Sequence, residues 1–178
     1  MAIISAGNIV FGVAAWGYVI LTVILCTAAQ FALDGLLALI INKLPDRYFG
    51  VDHPWYTVSE RESRFYQKIK VKKWKDRVWE LGELGGFSKR NLEAPGSAAY
   101  IAKFIIECNK GVLTHRLSYF IGFLPMGFLP QNCAFSIALP VATVNLFLNI
   151  LPTLVLRYNT PKLKRMLLRM ERKNIITG

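Results

Sequence analysis

One histidine and one glutamate in the middle of the chain have side chains suited to acid–base chemistry. His115 lies at the boundary between a basic segment and a long uncharged segment. An imidazole can accept a proton from an attacking hydroxyl near neutral pH, so His115 is a candidate general base. The alternative is a histidine that ends a helix beside Arg116 and only marks the boundary. Glu107, eight residues earlier, is the second catalytic candidate.

The spacing between Glu107 and His115 argues against direct contact between them. On a continuous helix, eight residues correspond to a rise of about 12 Å and a rotation of about 80°. The two side chains could then form a hydrogen bond only if the helix breaks near Gly111. We therefore expect Glu107 to pair with Lys103 or Lys110, each about one turn away.

A second polar group follows the last apolar segment. Arg157, Tyr158 and Asn159 are consecutive, and Lys162 comes one turn later. Arginine makes bidentate contacts with phosphate, so this group could hold the phosphate or pantetheine of a thioester donor, or a lipid phosphate. The alternative is a basic stop signal after a membrane span, with Pro161 starting a new helix.

Uncharged polar residues and one acid lie inside the apolar segments. Asn145, Asn149 and Thr153 are four residues apart and predict one polar stripe, whose expected role is bonding to another helix. Asn149 is also a candidate substrate contact. Asp34 is the one ionisable residue of the first apolar segment, and a functional role and simple contact with water at a helix end are equally open.

The distribution of charge indicates which elements position these residues. All 22 basic residues lie in 43–116 or 157–173, and the flanking apolar segments contain none. Apolar helices of more than ~20 residues can cross a hydrocarbon core of roughly 30 Å, and basic residues collect on the cytoplasmic side. We predict an all-α, multi-pass protein of the cell membrane with both basic blocks cytoplasmic. Its single domain comprises a first span and extension (1–42), a basic interfacial layer (43–116), a transmembrane hairpin (117–156) and a basic tail (157–178).

About three transmembrane helices are predicted. The first runs from Asn8 to Phe31, and the hairpin consists of Val112 to Leu129 and Cys133 to Leu156, with the turn at Pro130–Asn132. A hairpin within the first 42 residues would give four spans and is the main alternative.

The basic layer is expected to contain amphipathic helices that lie on the bilayer. Apolar residues recur at approximately helical spacing, which is broken around Lys70 to Lys72. After a glycine-rich loop, Ser97 is the expected N-cap of a helix. The residues of the first apolar face are Phe65, Ile69, Trp74, Val78 and Leu81, and those of the second are Ile101, Phe104, Ile105, Cys108 and Val112.

Composition excludes several other classes of function. A net charge of +11 would suggest nucleic acid in a soluble chain, but 53% of the residues are hydrophobic. Anionic lipid is therefore the nearer polyanion, and no nucleic-acid partner is expected. The three cysteines lack a C-x-x-C spacing and only two histidines occur, so no metal site is expected.

Five short motifs occur in a recognisable order. They are Pro45-Asp-Arg-Tyr-Phe49; Lys73-Trp-Lys75; Phe87-Ser-Lys-Arg-Asn-Leu92; Ile105-Ile-Glu107 with His115 eight residues later; and Asn149 followed by Arg157-Tyr-Asn-Thr-Pro-Lys-Leu163. In this order the chain resembles the glycosyl-4,4'-diaponeurosporenoate acyltransferases, small bacterial membrane enzymes of carotenoid biosynthesis, from about Leu44 to Arg172. Family members usually have Arg-Ala-Glu before the histidine and Trp after it, where this chain has Lys110-Gly-Val112 and Arg116.

The resemblance implies transfer of a fatty acyl chain to a sugar hydroxyl of a glycosylated C30 carotenoid. It implies His115 and Glu107 as catalytic residues, no bound cofactor, and acyl-coenzyme A or acyl carrier protein as the fatty acyl donor. Membrane lipids and a lipid-borne glycoside acceptor are the other partners. No nucleophile motif such as G-x-S-x-G occurs, so direct transfer is expected. The competing prediction is a non-catalytic membrane protein that binds anionic lipid or a partner helix. Substrate contacts are expected at Asp46, Arg47, Tyr48, Trp74, Lys75, Lys89, Arg90, Asn149, Arg157, Tyr158 and Asn159.

Overall fold

The computed structural model describes residues 2–78 and 96–177, with side chains from Trp16 to Lys173, and these ranges are helical without a β-strand. The all-α prediction is therefore confirmed. The α-helices are α1 (Ala2–Asn42), α2 (Glu60–Lys68), α3 (Val71–Trp74), α4 (Ala98–Ile121), α5 (Gln131–Cys133) and α6 (Leu139–Thr177). Short 3-10 helices occupy Asp46–Phe49, Pro54–Tyr56, Lys75–Arg77 and Leu124–Phe128, and a π-helical turn occupies Ala134–Ala138.

The first helix, α1, is one unbroken element of 41 residues. At 1.5 Å per residue it is about 60 Å long, and the chain does not reverse within it. The hairpin that the four-span alternative requires in this segment is therefore wrong. The residues expected to form a separate extension after Phe31 continue the same helix.

The helices α4 and α6 form an antiparallel pair. His115 of α4 contacts Asn149 of α6, and Gly122, just after α4, lies beside Asn145. The chain reverses between Gly122 and Pro130, whereas the sequence placed the turn at Pro130–Asn132. The reason is that Pro125 has no N–H to continue the hydrogen bonds of α4, so the helix ends at Ile121.

The long helix α1 packs on this pair. The side-chain amide of Gln30 donates a hydrogen bond to the carbonyl of Gly122 at 2.7 Å. Farther toward the N-terminus, the Tyr18 hydroxyl lies 3.4 Å from the Cys133 sulfur. Because later residues of α1 meet earlier residues of α4, α1 is antiparallel to α4 and parallel to α6.

A hydrophobic core joins the C-terminal parts of α1 and α6 to the N-terminal half of α4. The predicted apolar face of α4 is buried in it, and Ser97 caps α4 by accepting a hydrogen bond from the Tyr100 N–H. Both predictions are confirmed. The buried residues of this core are Ile41, Phe49, Tyr56, Ile101, Phe104, Ile105, Cys108, Val112, Leu156, Leu163 and Leu167.

Two helical stretches, Trp16–Asn42 and Gln131–Lys173, are long and apolar enough to cross a membrane. The second has 43 residues and is about 65 Å long, roughly twice the thickness of a hydrocarbon core, so only part of it can lie within a bilayer. The other predicted span, Val112–Leu129, is not a single helix, because α4 ends at Ile121.

The short helices α2 and α3 lie against α6. Tyr66 and Val71 are buried with Val155, and Lys70 adopts a left-handed conformation, φ 53°, between the two helices. The predicted break near Lys70 is thus confirmed. Phe65, expected on a face that lies on the bilayer, is 50% exposed, whereas the neighbouring Tyr66 is buried and donates a hydrogen bond to Glu62.

Candidate functional site

His115 and Asn149 meet across the α4–α6 pair, 2.8 Å apart between Nδ1 and Oδ1. The Asn149 amide nitrogen donates to the Asn145 carbonyl at 3.0 Å and lies 3.2 Å from the Asn145 Oδ1. Because its nitrogen faces Asn145, Asn149 presents only its oxygen to the imidazole. Nδ1 of His115 is therefore the donor, and the proton-accepting lone pair of the neutral ring is on Nε2.

The polar stripe predicted on the last apolar segment is buried where it meets His115. Asn145 is 9% exposed, Asn149 8% and Thr153 5%. The Thr153 hydroxyl donates to the Asn149 carbonyl at 3.0 Å. The predicted bonding of this stripe to another helix is confirmed by the contact of Asn149 with His115.

Glu107 does not contact the ring of His115. α4 remains helical through Gly111, so the break that direct contact would require does not occur. Instead, Lys110 Nζ lies 3.2 Å from Glu107 Oε1 and 2.6 Å from Asp46 Oδ1. Burial tends to lower the pKa of Lys110, but hydrogen bonds to the two carboxylates outweigh it and raise this pKa. The expected pairing of Glu107 with Lys110 is confirmed.

Arg157 is 6% exposed and forms a buried ion pair with Glu62 of α2. Its Nη2 lies 2.6 Å from Glu62 Oε2 and 3.3 Å from the Thr57 carbonyl oxygen. Its Nε donates to the other carboxylate oxygen, which also accepts a hydrogen bond from the Tyr66 hydroxyl. Arg157 thereby joins α6 to the basic layer.

Glu62 contacts a candidate site residue, Arg157, and the sequence reasoning missed it. It lies in a polar helix where a carboxylate is expected to face water, and its partner is 95 positions away. Burial tends to raise the pKa of Glu62, but hydrogen bonds from Arg157 and Tyr66 outweigh it and lower this pKa. Burial and the bond to Glu62 raise the pKa of Tyr66. Glu62 is therefore ionised and Tyr66 neutral at physiological pH.

The guanidinium of Arg157 retains one nitrogen that makes no hydrogen bond within the described residues. Its Nη1 is buried and has no hydrogen-bond partner there. Asn149, Thr153 and Arg157 are spaced at four residues, so they lie along one face of α6, with about 12 Å between the first and the last. We call this face, formed by Asn149, Thr153 and Arg157, the polar strip. The imidazole of His115 lies at one end of it, and the buried Nη1 of Arg157 lies at the other.

Tyr158 and Asn159 follow Arg157 within α6, which continues through Pro161 to Thr177. The alternative in which Pro161 starts a new helix is wrong. Packing of α6 in the same core on both sides of the proline, at Leu156 and Leu163, outweighs the lost hydrogen bond. Tyr158 contacts the cluster around Tyr66, and Asn159 is half-buried.

The segment containing Asp46, Arg47 and Tyr48 lies on the surface beside α4. The Arg47 guanidinium stacks 5.0 Å from the Tyr48 ring centroid and donates to its hydroxyl at 3.1 Å. The Asn109 amide holds this segment by donating to the Phe49 carbonyl at 2.9 Å. Through the ion pair of Asp46 with Lys110, the segment lies about one and a half turns of α4 from His115.

The other candidates are not brought to the polar strip. The Trp74 indole donates to the Ile69 carbonyl at 3.0 Å, and Lys75 pairs with the adjacent Asp76. Lys89 and Arg90 lie outside the described residues. One carboxylate oxygen of Asp34 is buried without a hydrogen-bond partner in the described part of the chain. Among those residues, no cluster of three or more His, Cys, Asp or Glu could hold a metal ion.

A comparison with known protein families supports the resemblance that the order of the motifs suggested. A model of the glycosyl-4,4'-diaponeurosporenoate acyltransferase family matches residues 45–169. This match includes His115, Asn149, Glu62 and Arg157, and it covers more than half of the chain. No curated protein and no solved structure gives a significant match.

Proposed function

Because the chain belongs to the glycosyl-4,4'-diaponeurosporenoate acyltransferase family, we propose that it transfers a fatty acyl group from a thioester to a sugar hydroxyl of a membrane-borne glycoside, such as a glycosylated C30 carotenoid. The observation that carries this proposal is the hydrogen bond between His115 and Asn149. It holds the imidazole in the tautomer that a general base requires.

In the proposed reaction, His115 Nε2 takes the proton of the sugar hydroxyl as its oxygen attacks the acyl carbonyl. The new carbon–oxygen bond gives a tetrahedral intermediate. When the carbon–sulfur bond breaks, the imidazolium returns the proton to the leaving sulfur. The reaction needs no bound cofactor, and Asn149 stabilises the imidazolium through its Oδ1.

Arg157 has a different role in this proposal. Its unused Nη1 is about 12 Å along α6 from the level of His115, too far to reach the reacting carbonyl. A guanidinium binds phosphate well because it is planar and always charged. We propose that Arg157, with Tyr158 and Asn159 beside it, holds a polar group of a substrate while the acyl end lies near His115.

The surface around His115 fits a reaction at a membrane boundary. On the side of Leu117, Phe120 and Phe147 the exposed residues are apolar, and on the side of Lys110 and Arg157 the helices carry charge. We propose a multi-pass arrangement in the cell membrane, with the basic segments cytoplasmic and one domain. A glycoside headgroup would then meet its acyl donor at the cytoplasmic interface.

Mass spectrometry of lipids and pigments tests this function. Cells carrying the chain should contain an acylated glycoside, and His115→Gln should lower its amount by roughly a hundredfold or more. The matched control is His53→Gln, in the loop where His53 Nδ1 accepts the Trp55 N–H and the ring packs beside Tyr56. Unchanged product with His115→Gln at equal protein level would contradict the proposal and favour a non-catalytic, lipid-binding protein.

A further inference from the structure

One side of α6 passes within a single turn from an exposed apolar surface to a surface that α2 covers. Phe147 and Leu151 are exposed and lie on the side of the helix roughly opposite Asn149. One turn after Leu151, Val155 is buried in a cluster with Tyr66 of α2. In the membrane arrangement proposed for this chain, α2 therefore lies at the level where the hydrocarbon core ends.

The helix α2 crosses α6 and does not run along it. Near the start of α2, Glu62 pairs with Arg157, and the chain then reaches Val155, with which Tyr66 and Val71 are buried. Arg157 and Val155 are about 160° apart around the axis of α6 but only about 3 Å apart along it. The axis of α2 is therefore roughly parallel to the plane of a bilayer that α6 spans.

The contact of Tyr66 with α6 leaves two chemically different flanks on α2. One flank carries the ring of Phe65, which is 50% exposed. Arg61 and Lys68 are exposed beside this ring, and the three side chains fall within an arc of about 60° at 100° per residue. This flank therefore combines an aromatic ring with two long basic side chains.

The other flank of α2 is polar. Glu60 and Gln67 are exposed there, more than 100° around the helix from Phe65. In a helix that lies at a bilayer surface, an aromatic ring reaches the acyl chains while lysine and arginine extend to the phosphates. The Phe65 flank fits the bilayer, and the flank with the carboxylate of Glu60 fits water.

The charge on the Phe65 flank selects the kind of lipid. Among the described residues, Arg61 and Lys68 take part in no ion pair. Two basic side chains without a carboxylate partner at head-group depth attract anionic lipid more strongly than zwitterionic lipid. Phe65 between them would have no apolar contact on a soluble acidic partner, whereas the acyl chains of a bilayer supply one.

We propose that the flank of α2 formed by Arg61, Phe65 and Lys68 binds the head groups of anionic phospholipid such as phosphatidylglycerol, with the Phe65 ring inserted among the acyl chains. The inference rests on the membrane arrangement and does not depend on acyl transfer. Because α2 also carries Glu62, this contact would hold the partner of Arg157 at the membrane surface.

Fluorescence quenching by lipids brominated in their acyl chains tests this contact. A bimane label is attached to the full chain in nanodiscs at Phe65→Cys, or at Gln67→Cys as the control. Both variants carry Cys133→Ser, since Cys26 and Cys108 are buried. Brominated phosphatidylglycerol should quench the label at position 65 roughly threefold more than the same fraction of brominated phosphatidylcholine. Neither lipid should quench the label at position 67 strongly.

Two pairs of substitutions test whether the preference for anionic lipid is local. Adding Arg61→Gln and Lys68→Gln to the variant labelled at position 65 should make the two brominated lipids equally effective. The matched control is Arg165→Gln with Arg169→Gln, which removes the same charge from exposed residues at least about 15 Å along α6 from Val155. This control should keep the preference for phosphatidylglycerol.

Several results would overturn the proposal. Weak quenching at position 65 by both lipids would place this flank in water, and equal quenching by both would show contact without selection of anionic lipid. An equal loss of preference in the two double variants would indicate attraction by the net charge of the chain and no local site. His115→Gln should leave all of the quenching unchanged, so the lipid contact and the proposed reaction can fail separately.

Discussion

The Asn149 side chain holds the His115 ring at 2.8 Å and is itself fixed by two contacts with Asn145. Asn145 in turn lies against Gly122, the residue that receives the hydrogen bond from Gln30 of α1. The ring orientation at the proposed site is therefore set by packing among all three long helices.

Replacing Asn149 tests the orientation of the ring. Asn149→Ala removes the acceptor for His115 Nδ1, so we expect kcat to fall by roughly tenfold to a hundredfold with KM little changed. Asn149→Asp retains an acceptor and adds negative charge, which should restore part of kcat and move the pH–rate profile to higher pH. The control is Asn132→Ala at the exposed start of α5. Equal kcat in the parent and Asn149→Ala would contradict this role.

Replacing Gly122 tests the packing that supports the hydrogen bond between Asn149 and His115. A Cβ at this position would lie 2.7 Å from the Asn145 side-chain nitrogen, so Gly122→Ala must displace Asn145. We expect a loss of about 1 to 3 kcal/mol in the free energy of unfolding, together with lower kcat. Gly127→Ala is the control, because a Cβ there would meet nothing within 4 Å. Similar thermal unfolding curves for the two variants would count against the close packing.

The ion pair between Glu62 and Arg157 predicts acid sensitivity. The pKa of Glu62 in the folded protein is below its ordinary value of 4.5. The stabilisation that ionised Glu62 gives to the folded protein is therefore fully present above that ordinary value. It is lost as the pH falls through the lower pKa of Glu62 in the folded protein. Thermal unfolding in detergent between roughly pH 3 and pH 6 should show this loss in the parent and much less of it in Glu62→Gln.

The same pair predicts a strong effect of removing the cation. Arg157→Met leaves the Glu62 carboxylate largely buried without its partner, and we expect a loss of about 2 kcal/mol or more near neutral pH. Protonating Glu62 removes that penalty, so the difference from the parent should shrink as the solution is acidified. A difference independent of pH would show that lost packing, and not the unpaired charge, is responsible.

Cys133 provides a test of membrane topology without an added reporter. It is half-buried near the start of the returning helix, whereas Cys26 is 5% exposed and Cys108 1% exposed. If the basic segments are cytoplasmic, a membrane-impermeant maleimide added to intact cells should label the chain at Cys133. Cys133→Ser should abolish this label. Labelling that appears only after the cells are opened would place the α4–α6 turn inside and contradict the proposed orientation.

Local patterns in the sequence predicted much of the fold. The apolar positions of α4 recur with the helical period and follow a serine that can cap, so both its N-terminus and its buried face could be derived. The break at Lys70 also followed from lost periodicity. The end of α4 could not be derived in this way. The segment from Gly122 to Pro130 is as apolar as the helices on either side, and only Pro125 marks the end of the helix.

These local patterns could not predict which residues of different helices contact each other. Periodicity placed Asn149 on a polar face of its helix, but the register between α4 and α6 depends on the turn and on the contact of Gly122 with Asn145. The ion pair of Arg157 with Glu62 joins residues 95 positions apart, and nothing local distinguishes Glu62 from a solvated acid. The site therefore needed the tertiary structure to be recognised.

Polar side chains along α6 bond to their own helix. Thr143, Asn149, Thr153 and Thr160 each donate to the carbonyl four residues earlier, which satisfies their donors without any neighbour. A nascent α6 can thus enter the lipid phase during biogenesis with these donors already satisfied. The Asn149 Oδ1 stays open until α6 packs against α4, which precedes it in the chain. Assembly of the two helices and formation of the proposed catalytic base would therefore be one event.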